Sequence, residues 1–238
     1  MFDLAPFDYV SFDCYGTLID WESGILAYLR PLLRSKQRDV SDGEILSLYS
    51  EFEPRQQCQT YRTYREILAA VVRDFAKRFD FAVSDGEAAG LAESIRNWQP
   101  FPDTAAALRR LKTRYKLAVL SNIDDDLFAL TAPKLGVELD LLVTAQQVRS
   151  YKPSLRNFET LLQNLPVSHE RLLHAAESLY HDVVPARSLG IATVWVNRRQ
   201  GKPAAATKLV DAHPDLEVAT VEELAALALR PSTRASIP

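Results

Sequence analysis

The feature that most constrains the fold is a series of short apolar segments separated by stretches with a helical pattern. These segments are residues 9–12, 117–120, 139–143, 172–176 and 193–196. Apolar runs of four or five residues are typical of buried strands, because they are too short to form helices. Strands that alternate with helices build a parallel sheet with helices on both faces. The sequence therefore predicts an α/β fold around a parallel sheet.

Helices are predicted between these strands. Apolar spacing indicates one helix over residues 104–113, which Asp103 is suited to cap. Another is predicted over residues 124–135 and should end at Gly136, because glycine readily adopts the left-handed conformation that terminates many helices. A third is predicted over residues 157–164.

Residues 21–98 follow a different pattern, in which apolar side chains recur every three or four positions and no strand is indicated. This helical block follows the first strand, so it forms an insertion into the α/β domain. We expect a core of residues 1–20 and 99–238 and a helical domain of residues 21–98. The tail from Arg230 is rich in serine and proline and is expected to fray.

Composition limits the classes of partner. The chain has 238 residues, 47% hydrophobic and 25% charged, which suits one large globular domain with a smaller insertion. A net charge of −3 creates no field that would attract nucleic acid or a membrane surface. No apolar run is long enough to cross a bilayer, and no secretory signal is recognisable. Cys14 and Cys58 are expected to be free thiols in a reducing compartment, which predicts a cytoplasmic protein.

Polar residues follow the ends of several predicted strands. Asp13, Ser121 and Glu177 each come directly after an apolar segment, and Lys152 lies in a loop after the segment 139–143. The carboxyl ends of parallel strands share one edge of the sheet, and ligands bind where the strand order switches at that edge. We therefore expect these four side chains to meet in one crevice.

Asp13 is the central candidate because a turn containing Gly16 and Thr17 follows it. Glycine permits a tight turn in which backbone N–H groups can surround an anion. A carboxylate held in such a turn can act as a covalent nucleophile. The alternative is that Asp13 caps a helix beginning near Leu18.

The next two candidates have ordinary structural alternatives of their own. Ser121 and Asn122 would place a hydroxyl and N–H groups at a helix start, which suits a carboxylate or phosphate, or they could simply cap the helix. Lys152 could stabilise the negative charge of the nucleophile and the charge of the transition state. A single lysine is otherwise usually solvent-exposed.

Two acidic residues, Glu177 and Asp182, stand five positions apart. They could bind a cation or orient the lysine and a water molecule. Alternatively, Asp182 caps a helix over residues 183–189. His174 and His181 lack the spacing of metal ligands, so we interpret them as ordinary polar residues.

Four segments, taken in order, resemble the four motifs of the haloacid dehalogenase superfamily. They are residues 12–18, Ser121 with Asn122, Lys152 with Pro153, and residues 177–182. Their order and spacing match over about residues 8–200. The resemblance implies a Rossmann-like core with a helical cap domain of the C1 type, inserted after the first motif.

The resemblance also implies roles for individual residues. The catalytic residues it implies are Asp13 as nucleophile, Lys152 for charge stabilisation, Thr17 as support for the nucleophile loop, and Asp182. The substrate-binding residues that we expect are Cys14, Tyr15, Trp21, Arg55, Ser121, Asn122 and Glu177. No cofactor or metal is required by this branch of the superfamily.

Tyr15 indicates which branch applies. Phosphatases of the superfamily carry a second aspartate two residues after the nucleophile, whereas L-2-haloacid dehalogenases carry tyrosine there, as this chain does. A departing alkoxide needs a proton and a departing halide does not. The implied reaction converts short (S)-2-haloacids, with fluoroacetate as a candidate, to 2-hydroxy acids through an ester on Asp13.

One departure from the dehalogenase pattern concerns the leaving-group site. These enzymes usually place a halide-binding arginine after an aromatic residue in the cap, but residues 48–50 read Leu-Tyr-Ser here. Arg55 is our candidate substitute, with Arg62 and Arg65 as alternatives. In the fourth motif, Glu177 replaces a serine.

Three other functions stay open at this point. An azetidine-2-carboxylate hydrolase opens its ring by the same aspartate attack, and Trp21 with Glu177 would favour such an amino-acid substrate. A Mg²⁺-dependent phosphatase would use Asp13 and Asp182 as metal ligands. A non-catalytic interaction protein would keep the fold but would not need the four motifs. The expected partner is a small carboxylate, and relatives in this branch suggest a homodimer.

Overall fold

A six-stranded parallel sheet forms the centre of the computed structural model, which describes residues 2–58, 60–200 and 210–229. Its strands are β1 Tyr9–Phe12, β2 Lys116–Ser121, β3 Leu141–Thr144, β4 Leu172–Ala176, β5 Ala192–Val196 and β6 Leu216–Val218. Their order across the sheet is β3-β2-β1-β4-β5-β6, and every neighbouring pair is parallel. The predicted α/β fold is confirmed; β6 was not anticipated.

Strand β1 lies between β2 and β4, and the strand order runs outward from it in both directions across the sheet. Phe12 lies level with Val119 of β2 and Ala175 of β4. The residues that follow these three strands therefore meet at the switch point beside β1, where α/β sheets bind ligands.

The helices within the described residues surround this sheet or form the insertion. They are α1 Trp21–Ser35, α2 Asp42–Gln57, α3 Tyr64–Arg78, α4 Asp85–Ser94, α5 Thr104–Lys112, α6 Asp125–Thr131, α7 Ala145–Val148, α8 Leu155–Asn164, α9 Val184–Ser188 and α10 Val221–Ala228. Helices α1 to α4 form the helical cap, and the remaining six belong to the core. No described helix is long and apolar enough to cross a membrane.

Local sequence explains where the cap helices begin. Ser41, Thr63 and Ser84 precede α2, α3 and α4, and each side chain accepts a hydrogen bond from the third backbone N–H of its helix. Hydroxyl caps of this kind satisfy N–H groups that have no partner within the helix. The glutamates Glu66 and Glu87 bond back to the caps of α3 and α4, which completes two capping boxes.

Two chain crossings join the cap to the core, and they bond to each other. The N–H of Asp20 donates to the carbonyl of Gln99 at 2.9 Å, and the N–H of Phe101 donates to the carbonyl of Leu18 at 3.0 Å. Because these bonds hold the two crossings side by side, the chain enters and leaves the cap at the same place.

The helix predicted near residues 124–135 is present, but its last turn, Ala132–Leu135, is a 3-10 helix. Gly136 ends it with φ +68°, as predicted. The strand predicted over residues 139–143 begins later, at Leu141. The tail from Arg230, which we expected to fray, lies outside the described residues.

The prediction that the Asp103 side chain caps α5 is wrong. Asp103 precedes α5, but its helical backbone, with ψ −21°, directs no side-chain oxygen to that helix. The carboxylate instead accepts the backbone N–H of Val221 at 2.9 Å, at the start of α10, and pairs with Arg198 at 2.7 Å. It therefore joins distant parts of the core.

We predict that Gly24→Ala destabilises the protein by about 1–3 kcal/mol, because overfilling a packed site forces neighbouring atoms to move. Gly24 lies in α1, and a methyl group there would come within 2.5 Å of the Trp98 ring. Gly43→Ala in α2 is the matched control, since nothing lies within 4 Å of its added methyl group. We expect the control to stabilise by about 0.5 kcal/mol. Urea unfolding of both variants measures the difference, and equal changes would contradict the packing argument.

Candidate active site

Asp13 lies directly after β1 and is 7% exposed. Its N–H donates to the carbonyl of Ala175 at 3.1 Å, which places the residue at the switch point. Gly16 has φ +100°, a conformation that favours glycine, and the turn it allows returns Thr17 to the aspartate. The Thr17 hydroxyl donates to Asp13 Oδ2 at 2.7 Å. The helix that follows this turn, α1, begins at Trp21 and is capped by Asp20, so the alternative capping role of Asp13 is excluded.

Lys152 is 2% exposed rather than solvated, and its ammonium group lies between two carboxylates. Nζ donates to Asp13 Oδ1 at 2.9 Å, to Asp182 Oδ1 at 2.6 Å and to the carbonyl of Leu120 at 3.0 Å. All three ammonium protons are therefore used. Burial alone would lower the pKa of Lys152, but the charges of Asp13 and Asp182 outweigh it and raise that pKa.

The two carboxylates respond differently to the shared ammonium group. Burial raises the pKa of Asp13, and Lys152 and Thr17 offset this only partly. Burial also acts to raise the pKa of Asp182, but Lys152 and His174 together lower it below its usual value. Asp182 is therefore the more firmly ionised of the two.

Asn122 holds the lysine loop in place. Its Oδ1 accepts the N–H of Lys152 at 2.7 Å, and its Nδ2 donates to the carbonyl of Lys152 at 3.1 Å. Ser121 is 2% exposed, and its hydroxyl has no hydrogen-bond partner among the described residues. Neither residue caps α6, because Asp124 occupies that position. The Ser121 hydroxyl is thus available to a ligand.

A buried chain of polar groups extends behind the aspartates, and sequence reasoning missed it. Asp182 Oδ1 lies 3.0 Å from His174 Nε2, and His174 Nδ1 lies 2.8 Å from the Ser11 hydroxyl. Ser11 and His174 occupy matching positions of β1 and β4. Two polar residues within apolar strands were the available signal, but only the register of the sheet pairs them.

Asp182 does not cap the following helix. It lies in a π-helical turn, Leu179–Val183, that directs its carboxylate to Lys152. Its second oxygen, Oδ2, is buried without a hydrogen-bond partner among the described residues. That oxygen can accept a proton or a hydrogen bond from a small molecule in the site.

Asp13 opens into a cavity between the core and the cap. It is lined by Asp13, Tyr15, Trp21, Glu53, Tyr64, Ser121, Asn122, Lys152, Ser178, His181 and Asp182. Its volume is about 40 Å³, enough for about three water molecules. The cavity therefore suits a very small molecule.

The aromatic walls of the cavity are fixed by neighbours. The Tyr15 hydroxyl lies 2.8 Å from the Thr131 hydroxyl, and its ring meets Trp98 edge to face. Trp21 meets Tyr49 in the same geometry. Burial raises the pKa of Tyr15 well above its ordinary value, so its hydroxyl stays neutral.

The structure does not bring Arg55 to this cavity. Its side chain is 58% exposed and pairs with Glu51 one turn earlier at 2.9 Å. The alternatives also point elsewhere, since Arg62 donates to Gln56 and Arg65 pairs with Asp126 and Glu93. The prediction of a leaving-group arginine in α2 was wrong because the helix turns its opposite face inwards.

Glu53 occupies the inward face of α2 instead, and sequence reasoning missed it. It is 4% exposed and lines the cavity that contains Asp13. It lies one helical turn after the buried Tyr49, which was the available signal. A carboxyl group therefore takes the place where an arginine was expected.

Two other predicted substrate contacts also lie outside the cavity. The Cys14 side chain is fully buried in the hydrophobic core, and burial raises its pKa well above the ordinary value. Glu177 pairs with Arg199 at 3.1 Å and lines a neighbouring cavity with Trp21. Burial raises the pKa of Glu177 to about 7. Its backbone N–H donates to the Thr17 hydroxyl at 2.9 Å, so Glu177 helps to hold the loop that carries Asp13 and Thr17.

The ammonium group of Lys152 engages one oxygen of each aspartate, Oδ1 of Asp13 at 2.9 Å and Oδ1 of Asp182 at 2.6 Å. Among the described residues, no group of three or more His, Cys, Asp or Glu side chains is arranged to hold a metal.

A buried carboxylate beside a buried lysine lies at the switch point of a parallel sheet, where α/β folds bind their ligands, and the helices of the insertion cover it. The chain belongs to the haloacid dehalogenase-like hydrolases, because that family matches residues 7–190.

The chain is also similar to individual proteins that are named dehalogenases. The (S)-2-haloacid dehalogenase H-109 of Pseudomonas putida is 26% identical over 210 residues, which cover 82% of this chain and 88% of the relative. Haloacetate dehalogenase H-2 of Moraxella sp. strain B is 28% identical over 195 residues, 79% of this chain and 85% of the relative. The L-2-haloacid dehalogenase of Xanthobacter autotrophicus with covalently bound chloropropionic acid superposes with a TM-score of 0.76 at 18% identity, over 93% of this chain and 98% of that one.

We predict that Lys152→Met lowers the free energy of unfolding by about 3–5 kcal/mol at pH 7, because it leaves two buried carboxylates without a cation. The pKa values of both carboxyls would then rise, and stability is lost as the pH rises through a raised pKa. The deficit should therefore shrink as the pH is lowered from 7 to 5.

The matched control is Lys116→Met. Lys116 pairs with Asp140 at 3.2 Å but is 62% exposed, so its loss should cost no more than about 1 kcal/mol. Urea unfolding at several pH values measures both variants. A similar small loss for Lys152→Met would show that the buried ammonium group is not needed for stability.

Proposed function

We propose that this protein hydrolyses the carbon–halogen bond of short (S)-2-haloacids to give 2-hydroxy acids. The observation that carries the proposal is the Asp13 carboxylate, held by Lys152 and Thr17 in a very small cavity. The names of the relatives, which act on 2-haloacids and haloacetates, support the same substrate class.

In the first step an Asp13 oxygen attacks the carbon that carries the halogen. A carbon–oxygen bond forms as the carbon–halogen bond breaks, the halide leaves with the bonding electrons, and the carbon is inverted. The product is an ester between Asp13 and the acid. The buried ammonium group of Lys152 balances the negative charge of the substrate and nucleophile.

In the second step water attacks the carboxyl carbon of the Asp13 ester. Asp182 supports this step, because its Oδ2 is free of other described partners and can accept a proton from the water. That proton then passes to the departing oxygen of the 2-hydroxy acid, and the second proton of the water is released to solvent as the Asp13 carboxylate is restored. His174 positions Asp182 through the bond to its other oxygen.

The substrate-binding part of the proposal rests on four residues of the cavity. Ser121 offers the substrate carboxylate a hydroxyl that has no partner within the described part of the chain, and Asn122 fixes the neighbouring loop. Tyr15 and Trp21 form an aromatic wall beside Asp13.

We further propose the division into residues 1–20 with 99–238 as core and 21–98 as cap. Closure of that cap would exclude water from the first step. The homodimer and the cytoplasmic location stay predictions.

The alternative functions have less support. Opening of an azetidine ring was favoured by Glu177, but the Glu177 side chain lies in a neighbouring cavity and pairs with Arg199. A phosphatase of this superfamily would need a second aspartate two residues after Asp13, and Tyr15 occupies that position.

We predict that Asp13→Ala abolishes halide release from chloroacetate and (S)-2-chloropropionate, because no other group can form the ester. The control is Asp8→Ala, which removes an exposed carboxylate just before β1 and should leave the rate unchanged. Ion chromatography of released halide measures both variants.

The ester itself can be detected by a single turnover in ¹⁸O water, followed by mass spectrometry of the peptide that contains Asp13. We expect one ¹⁸O atom in that peptide, because water attacks the carboxyl carbon of the ester. Phosphate release from p-nitrophenyl phosphate that is lost in EDTA, without halide release from any haloacid, would refute the proposal in favour of a phosphatase.

A further inference from the structure

Glu53 is a buried carboxyl group that the proposed mechanism does not yet use. It projects from α2 in the cap and lines the same cavity as Asp13, Lys152 and Asp182 on the core. The side chain is 4% exposed. Burying a charged carboxylate without a cation is costly, so a buried carboxyl in such a place tends to be neutral.

The hydrogen bonds around Glu53 suit the neutral acid. The Tyr64 hydroxyl donates to Glu53 Oε1 at 3.0 Å, and Gln57 Nε2 donates to the same oxygen at 2.8 Å. The other oxygen, Oε2, has no hydrogen bond among the described residues. Since Oε1 accepts both bonds, a proton carried on Oε2 is free to be donated into the cavity.

The charges around Glu53 agree with that arrangement. Burial raises the pKa of Glu53 to about 7, and the bonds from Tyr64 and Gln57 offset it only partly. The other titratable groups facing it are Tyr49 and Tyr64 in the cap, with Tyr15, Asp13, Lys152, His181 and Asp182 on the core. Burial lowers the pKa of His181 to about 4, and burial raises those of the three tyrosines well above 10. Among these groups, Glu53 is therefore the one poised to exchange a proton near neutral pH.

We propose that Glu53 is the hydrogen-bond donor to the leaving group, in place of the arginine expected in this part of the cap. This inference rests on the proposed carbon–halogen hydrolysis and concerns its specificity. An arginine stabilises any departing halide by charge, whereas an acid stabilises a leaving atom in proportion to its basicity. The chemical class of substrate is therefore a short acid that releases fluoride, because fluoride is the most basic of the halides and gains most from a hydrogen-bond donor.

An Asp13 oxygen bonds to the substrate carbon, and the carbon–fluorine bond breaks with both electrons going to fluorine. The Oε2–H group of Glu53 donates a hydrogen bond to the departing fluoride, which leaves as the anion while Glu53 keeps its proton, because hydrogen fluoride is a stronger acid than this carboxyl group. Hydrolysis of the ester then consumes one water and releases one proton to solvent. The small cavity, about 40 Å³, also suits the smallest halogen.

The test compares Glu53→Gln with the wild type on fluoroacetate and chloroacetate. Glutamine keeps an acceptor for Tyr64 and Gln57 but lacks the acidic O–H group. Because losing one donor to a developing negative charge costs about 10²–10³-fold, we expect kcat/KM for fluoride release to fall by about 100-fold or more. Chloride release should change by less than about fivefold, since chloride is less basic and gains less from the donor. Ion-selective electrodes measure both halides.

Glu51→Gln is the matched control, because it makes the same change two residues earlier on an exposed part of α2. Its rates with both substrates should equal those of the wild type. An equal loss of fluoride and chloride release in Glu53→Gln would overturn the proposal and leave Glu53 a structural residue.

The pH dependence of the wild type provides a test that needs no variant. Glu53 must be protonated, so fluoride release should decline as the pH rises through about 7, whereas chloride release should not show this decline. A decline that persists in Glu53→Gln would belong to another group, such as Glu177, and would overturn the proposal. No halide release from either substrate would refute the proposed function and this inference together, whereas chloride release with no difference between the halides refutes this inference alone.

Discussion

The structure of the site depends on one buried cation. Lys152 supplies three hydrogen bonds, two to carboxylates and one to a backbone carbonyl, and none of its protons is left for solvent. Without it, Asp13 and Asp182 would be two negative charges in a buried place, and at least one would take up a proton. The charge of the ammonium group acts to lower the pKa of both carboxyls and so reduces the cost of placing them side by side. Asn122 holds the loop that carries it, and His174 holds the second carboxylate.

The cap covers the site, and the carboxylate of Asp124 in the core joins the cap to the core. The Asp124 carboxylate, at the start of α6, accepts the backbone N–H groups of Tyr64 and Arg65 at 2.9 and 3.0 Å. These are the first N–H groups of α3, so a core side chain satisfies the end of a cap helix. This contact positions Tyr64, which lines the same cavity as Asp13, and the Tyr64 hydroxyl donates to Glu53. The cap therefore supplies Glu53 and Tyr64 to the cavity, while Asp13, Lys152 and Asp182 belong to the core.

Much of the catalytic core was predictable because it depends on local patterns. Asp13 and Ser121 follow apolar strands, and parallel strands bring their carboxyl ends to one edge. The Gly16 turn and the helix end at Gly136 depend on backbone conformations that glycine adopts without strain. The interpretation of His174 as an ordinary polar residue failed for a different reason. Its partner, Ser11, is 163 residues away along the chain, and only the pairing of β1 with β4 brings them together.

The sequence by itself determined the α/β class, the position of the helical insertion and the aspartate with its lysine, since each follows from short-range periodicity or from ordered motifs. Tertiary structure decided which side chains face the substrate. Arg55 and Glu53 are two residues apart on one helix and therefore point about 200° apart. The packing of α2 against the other cap helices turns Glu53 inwards and leaves Arg55 exposed. That rotation depends on contacts between distant segments, because burial is a property of the packed molecule and not of a local stretch of sequence.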